Sequence, residues 1–396
     1  MNRAAAASNT IRIALTDLRW PLDPAFVETR DESTVARAVY ATPLRTDLAG
    51  RIVPGLCTDD WRAAEASRSW SFRCAHAVAI AAELRRVARL RGSPSRWLFA
   101  GVRSVTVPAP GKLVVRLRSP WRRFPYALTA VASAPRNVPG PFRVVRATAM
   151  RLQLARRGTT LVFHRMTAWQ ALRAFRRHAI DEAPVPLGDL AYVRKRLRDV
   201  RVRRVLAQDV VLFRRGVPLD VRRAYWDTTN RADYEALVPG NAATAAFALI
   251  GTPKPNPAAF RRAVDRIPEL PVVRVGLAVP NDPTLAYGAR LLFGQWREVG
   301  LAPELVAGGV PADAVFRRVL APYPQDEALL GALGIDTGRG LVDQRRAFAA
   351  VDARNAASAS IAPVCWVADA RLVSPSLSGW REDVLGDVDY TQVTRR

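Results

Sequence analysis

The chain is short of lysine, histidine and cysteine. Its only lysines are Lys112, Lys195 and Lys254, its histidines His76, His164 and His178, and its cysteines Cys57, Cys74 and Cys365. The histidines lie far apart with no HxxxH spacing, and there is no CxxC or Cys/His cluster, so a zinc site has no local support. GxSxG, GxxxxGK[ST] and GxGxxG are also missing, which removes the local signatures of acyl transfer, nucleotide hydrolysis and dinucleotide binding. No apolar run approaches the roughly 18 residues of a membrane-spanning helix. No internal repeat is present. These absences point away from catalysis and call for no cofactor and no metal.

What is abundant is arginine and apolar bulk. With 396 residues, 49% of them apolar, the chain exceeds the size at which one core usually divides, so two lobes are expected. The formal charge of +25 is carried almost entirely by arginine. A strongly basic chain invites a polyanion partner, and stretches such as VRKRLRDVRVRR concentrate the charge. A bias towards Arg, Ala and Pro also gives a solvated basic face with no partner. That second reading is preferred, and no nucleic acid is expected.

The most complete local signal is VVRVGLAVPNDPTLAYGARLLFGQWREVGLAPELV, Val272 to Val306. Val273, Val275, Leu277 and Val279 alternate as a strand that stops at Pro280. Asp282 is placed to cap a helix, with Pro283 at its first position. Leu285, Ala289, Leu292, Phe293, Trp296 and Val299 then form one apolar stripe, and Gly300 ends it. Leu301 to Val306 can return as a parallel strand, giving a βαβ unit and an α/β class.

The remaining elements follow from punctuation and period. Ile11 to Leu15 reads as a strand, Glu32 to Tyr40 and Ala75 to Leu90 as helices, and Val102 to Val107 with Leu113 to Leu117 as a hairpin across PAPGK. Val200 to Phe213 holds two strand-like runs where the chain crosses between lobes. Asp313 to Leu320 and Leu341 to Ala353 are read as helices, and Ile361 to Val367 as a strand. Cys57 and Cys74 flank LCTDDW and SWSFRC, two segments placed to pair in one small sheet. A disulfide there suits an oxidising compartment, and two free half-buried thiols suit the same spacing. Cys365 reads as a small core residue.

Several stretches carry a family resemblance. LDPAFVETRDESTVARAVYATPLRTDLAGRIVPGL, FPYALTA, AIDEAPVPLGD, VRRAYWDTTNRADYEALV, the βαβ segment and WREDVLGDVDY occur in the order found in family 5 extracellular solute-binding proteins. These are the substrate-binding components of oligopeptide, dipeptide and nickel ABC transporters. The resemblance covers nearly the whole chain, with the first lobe shortened around AIAAELRRV. It implies a two-lobed, periplasmic-binding-protein-like class II fold with mixed sheets and a hinged cleft: lobe 1 from 8 to 205 with a C-terminal return over 366–396, and lobe 2 from 206 to 365. It further implies a monomer outside the cytoplasm that captures a peptide or similar small solute and delivers it to an ABC permease. A non-transport descendant using its basic face on an anionic partner is the alternative. MNRAAAASNTIRIAL has no apolar core before Ile11 and does not read as an export leader, although AAAASNT resembles the spacer that follows one.

A cleft of this kind is lined by residues at strand ends and in the loops beyond them. Trp20 and Asn281 follow strands, and each is also adequate as a core plug or a turn residue. The family's aromatic wall and its carboxylate for a ligand's amino terminus point to Tyr323 and Asp326 within APYPQDEALL. Asp326 equally suits the start of a helix. Tyr126 and Trp366 complete the candidates, both also readable as core.

Overall fold

The computed structural model describes residues 9–238, 242–251, 257–265, 267, 270–278, 282–307, 310–335 and 344–396, with side chains of the last segment from 348 onward. The βαβ unit forms as its sequence requires. Val273–Leu277 is a strand, Asp282 Oδ1 accepts from the amides of Thr284 and Leu285, and the helix Pro283–Glu298 follows. Leu285, Ala289, Leu292, Phe293 and Trp296 are buried, each large side chain contributing about 1.5–3 kcal/mol. Trp296 packs edge-on against Tyr225 at 4.8 Å and donates its indole N–H to Thr229 Oγ1 at 3.1 Å. Gly300 turns the chain at φ +94°, and Pro303–Val306 pairs in parallel with Val273–Gly276.

The segment 314–320 corrects the sequence reading. Ala314–Leu320 is a strand, parallel to Val275–Leu277 and antiparallel to Ala207–Phe213. The period of two is present in the residues: Ala314 and Phe316 enter the core on one face, while Val315, Arg317 and Val319 take the other. Two adjacent arginines masked that alternation. The stretch quoted above from Val221 to Val238 divides between two helices, Leu219–Thr228 and Arg231–Leu237, because Asn230 Oδ1 accepts from the amide of Asp233 and starts the second.

Among the described residues one 11-stranded sheet runs through the molecule. At its centre two long antiparallel strands, Val200–Phe213 and Ile361–Val373, lie side by side. One end of the pair carries Ala314–Leu320 and the βαβ strands, and the other carries Glu182–Pro184, Asn9–Leu15 and Thr159–Arg165. The ladder between the long strands is interrupted between Arg204 and Gln208, then resumes with Gln208 opposite Trp366. Leu206 there bonds elsewhere, its amide donating to Val384 O at 2.9 Å and its carbonyl accepting from the amide of Ala321 at 3.0 Å, and an irregularity of this kind bends the strand.

A second antiparallel sheet, in the order Arg62–Ala64, Ser69–Arg73, Lys112–Leu117, Val102–Ala109, belongs to the first lobe. It buries Trp70, Phe72, Leu113 and Val115 against Ile80, Leu84 and Val87 of the helix Ala77–Arg89. Cys57 and Cys74 face each other at its edge with their sulfurs 2.10 Å apart, and Cys365 is a buried free thiol.

A buried ion network ties the ends of the chain to the second long strand. Arg371, 1% exposed, reaches Glu182 at 2.9 Å, Asp369 at 3.0 Å and Glu382 at 3.7 Å. Glu182 also accepts from the Trp380 indole and the Tyr390 hydroxyl. Arg30, at the start of the helix Arg30–Val39, contacts Asp369, Glu382 and Asp387, each at 3.1 Å. Removing one partner of such a set strands the others in a poorly solvated interior. Arg371→Met is therefore expected to lower unfolding free energy by about 3–5 kcal/mol, read from the urea midpoint. A loss under about 1 kcal/mol would show that the network is not a structural tie.

Candidate ligand cleft

Where the two lobes meet, a cavity of about 80 Å³ lies between Pro24–Arg37, Ser95 and Trp97 on the first-lobe side and Arg317–Pro322 on the other. The backbone facing it is fixed locally. Thr29 Oγ1 accepts from the amide of Glu32, and Glu32 Oε2 accepts in return from the amides of Thr29 and Glu28, a capping box that sets the entry to the helix Arg30–Val39. Glu28 is thereby held at the cavity's edge. From the other lobe Arg317 reaches it, Nη2 to Oε1 at 3.3 Å. Alternation along the strand sends the next residue elsewhere: Arg318 makes a bidentate pair with buried Asp209 at 2.8 and 3.0 Å.

A second contact closes the same junction. Arg123 donates to Glu327 Oε2 at 3.0 Å, and burial of Glu327 pushes its pKa upward. Beside it Tyr323, fully buried, lies among Trp97, Trp121 and Tyr126 with ring centroids 6.1, 6.5 and 6.3 Å away. The structure therefore brings Tyr126 and Tyr323 together. They form an aromatic seam between second-lobe chain and the small sheet of the first lobe, and Pro322, not Tyr323, borders the cavity.

The other expected residues are placed apart. Asp326 is exposed at the first position of the helix Asp326–Ala332, off the cavity lining, where an acid suits the positive helix end. Trp20 precedes a cis peptide to Pro21 and packs on the core beneath the first strand. Trp366 lies on the second long strand, packed with Leu249, Val319 and Leu330. Asn281 lies outside the described residues. Glu28 and Arg317, the charged pair at the cavity, were not singled out from the sequence. Strand alternation through VFRRV carried the signal for Arg317.

No family model matches the chain, and no curated protein matches its sequence. Solved structures do match. OppA of Haemophilus influenzae, in complex with RPPGFSPFR, superposes with a TM-score of 0.83 at 14% identity, over 98% of this chain and 99% of that one. The murein tripeptide binding protein MppA of Escherichia coli gives 0.84 at 16% identity, over 98% and 99%. DppA of Helicobacter pylori, in complex with the peptide STSA, gives 0.82 at 12% identity, over 98% of each chain.

The fold is that of the two-lobed peptide-binding proteins. MppA in its unliganded open form superposes at only 0.66. The lower score against the open form agrees with the contacts already described: the lobes here are closed on one another. The seam at Tyr323 gives a direct check of its role. Its hydroxyl is buried without a hydrogen-bond partner among the described residues. Tyr323→Phe is expected to hold or raise the melting temperature, since removing an unpaired buried hydroxyl relieves a cost of about 1–3 kcal/mol. Tyr323→Ala should lose about 3–5 kcal/mol through the cavity it leaves. A Phe variant less stable than the parent would mean that the hydroxyl has a partner in solution.

Proposed function

We propose that this chain is the substrate-binding component of an ABC importer, a monomer that closes its lobes around a peptide or similarly sized solute and presents it to a permease. The observation that carries the reading is the cavity at the lobe junction, with an ion pair across it and two long strands joining, among the described residues, the groups of strands on either side. A cavity of about 80 Å³ is well below the roughly 300 Å³ at which small-molecule clefts begin. An extended ligand enters only when the lobes separate, which is the hinge motion expected of binding proteins of this shape.

The reading requires no reaction and no cofactor. The solved structures it resembles include proteins in complex with peptides, RPPGFSPFR for the Haemophilus OppA and STSA for the Helicobacter DppA. The Cys57–Cys74 pair supports an oxidising, extracytoplasmic setting. No helix among the described residues is long and apolar enough to cross a membrane.

Native mass spectrometry of the protein isolated from its own organism tests the proposal, with spectra taken before and after gentle denaturation. A small peptide or solute leaving on unfolding is the expected result. An empty chain that co-purifies with nucleic acid would overturn the reading in favour of the basic surface.

A further inference from the structure

Two short helices of the first lobe share an exposed face. In the helix Ala168–Arg176, Ala171 and Phe175 are buried in the core, while Trp169, Arg173 and Arg176, spaced i, i+4 and i+7, line the outer side. In the helix Leu190–Arg196, Leu190 and Val193 are buried, and Tyr192, Lys195 and Arg196 are exposed. The rings join the two faces: Trp169 meets Tyr192 edge-on with centroids 5.8 Å apart, and the Arg196 guanidinium lies over the Tyr192 ring at 3.8 Å. Trp169 is 53% and Tyr192 39% exposed. Neither helix holds an acidic residue. Arg173, Arg176, Lys195 and Arg196 enter no ion pair among the described residues. The acids between the helices are engaged elsewhere: Asp181 with Arg12 and Arg395, Glu182 with Arg371, and partly buried Asp189 with Arg290.

Four unanswered cations call for an anionic partner, and the rings say which kind. A single strand of nucleic acid is held by stacking its bases on open aromatic faces. Here Arg196 covers one face of Tyr192 and Trp169 stands at 68° to it, so the pair is no parallel platform. Exposed Trp and Tyr beside Arg and Lys instead suit the boundary of a bilayer, where the rings settle at headgroup level and the cations meet lipid phosphates. We propose that this face of the first lobe docks on an anionic lipid bilayer, with Trp169 and Tyr192 entering the headgroup layer and Arg173, Arg176, Lys195 and Arg196 on the phosphates. Each cation near such a surface strengthens binding about fivefold, so the four together supply on the order of several hundredfold, enough for reversible association and too little for permanent anchoring. None of these residues lines the cavity between the lobes, so the docking is independent of the solute and of the importer reading.

The test is co-sedimentation of the full chain with vesicles of phosphatidylcholine alone and of phosphatidylcholine mixed with phosphatidylglycerol, each variant first shown to be folded by circular dichroism. Binding is expected only with phosphatidylglycerol and should fall as sodium chloride is added. Arg173→Gln and Arg196→Gln should each weaken it about fivefold, and Arg173→Lys should keep it. Trp169→Ala should weaken it and leave the salt dependence as it was. A double variant of two exposed second-lobe arginines, Arg214→Gln with Arg215→Gln, should change nothing. A loss in that double variant equal to the loss in Arg173→Gln with Arg196→Gln would overturn the patch in favour of net charge alone. A Trp169→Ala variant that binds as well as the parent would overturn entry of the rings. Equal binding to both kinds of vesicle, or to neither, would overturn the docking surface. Binding of a DNA duplex that Arg173→Gln weakens, with vesicles left unbound, would assign the face to nucleic acid instead.

Discussion

The arrangement depends on burying two guanidinium groups, Arg371 and Arg30, among carboxylates drawn from distant parts of the chain. Taking an ion out of water costs several kcal/mol even after relaxation, so the sites are tolerable only when every charge is answered. Here the answers come from Glu182, Asp369, Glu382 and Asp387. The carboxylates are not equivalent. Arg371 and Arg30 hold Asp369 well below the usual carboxylate range, while burial and the adjacent Asp369 push Glu382 upward. Fixing this set fixes the first helix, the second long strand and the C-terminal segment relative to one another.

That tie reaches the cleft through Arg30 and Asp387, which belong to both the network and the cavity lining. The helix whose first residue is Arg30 carries the capping box that positions Glu28. On the other side, the strand bearing Arg317 is anchored by the buried pair of Arg318 with Asp209, the latter on the first long strand. Both halves of the cross-cleft pair are thus mounted on rigid elements, and the interrupted ladder near Arg204–Gln208 lies between them. Such a construction suits the closure of two bodies proposed above.

Local structure was legible wherever neighbours in sequence supply the physics. The cap at Asp282, the stripe from Leu285 to Trp296 and the stop at Gly300 depend on residues a few positions apart, and each forms as read. Ala314–Leu320 was misread as a helix because Arg317 and Arg318 together obscure a period of two. The cleft was less legible. Glu28 and Arg317 are separated by 289 residues and Arg30 and Asp369 by 339, so no local pattern announces either pair. Tyr323 and Tyr126 do come together, but as an interlobe seam, and Asp326 takes the helix-start role that its sequence context also supported.

The central claim is that two rigid lobes open and close about the interrupted pair of long strands. It is tested most directly by a pulsed electron spin distance measurement between labels at Val78 on the first lobe and Leu305 on the second, 72% and 50% exposed. Two distance populations are predicted for ligand-stripped protein, with the shorter one gaining at the expense of the longer when pooled tripeptides are added. A single distance unchanged by stripping or addition would contradict the account.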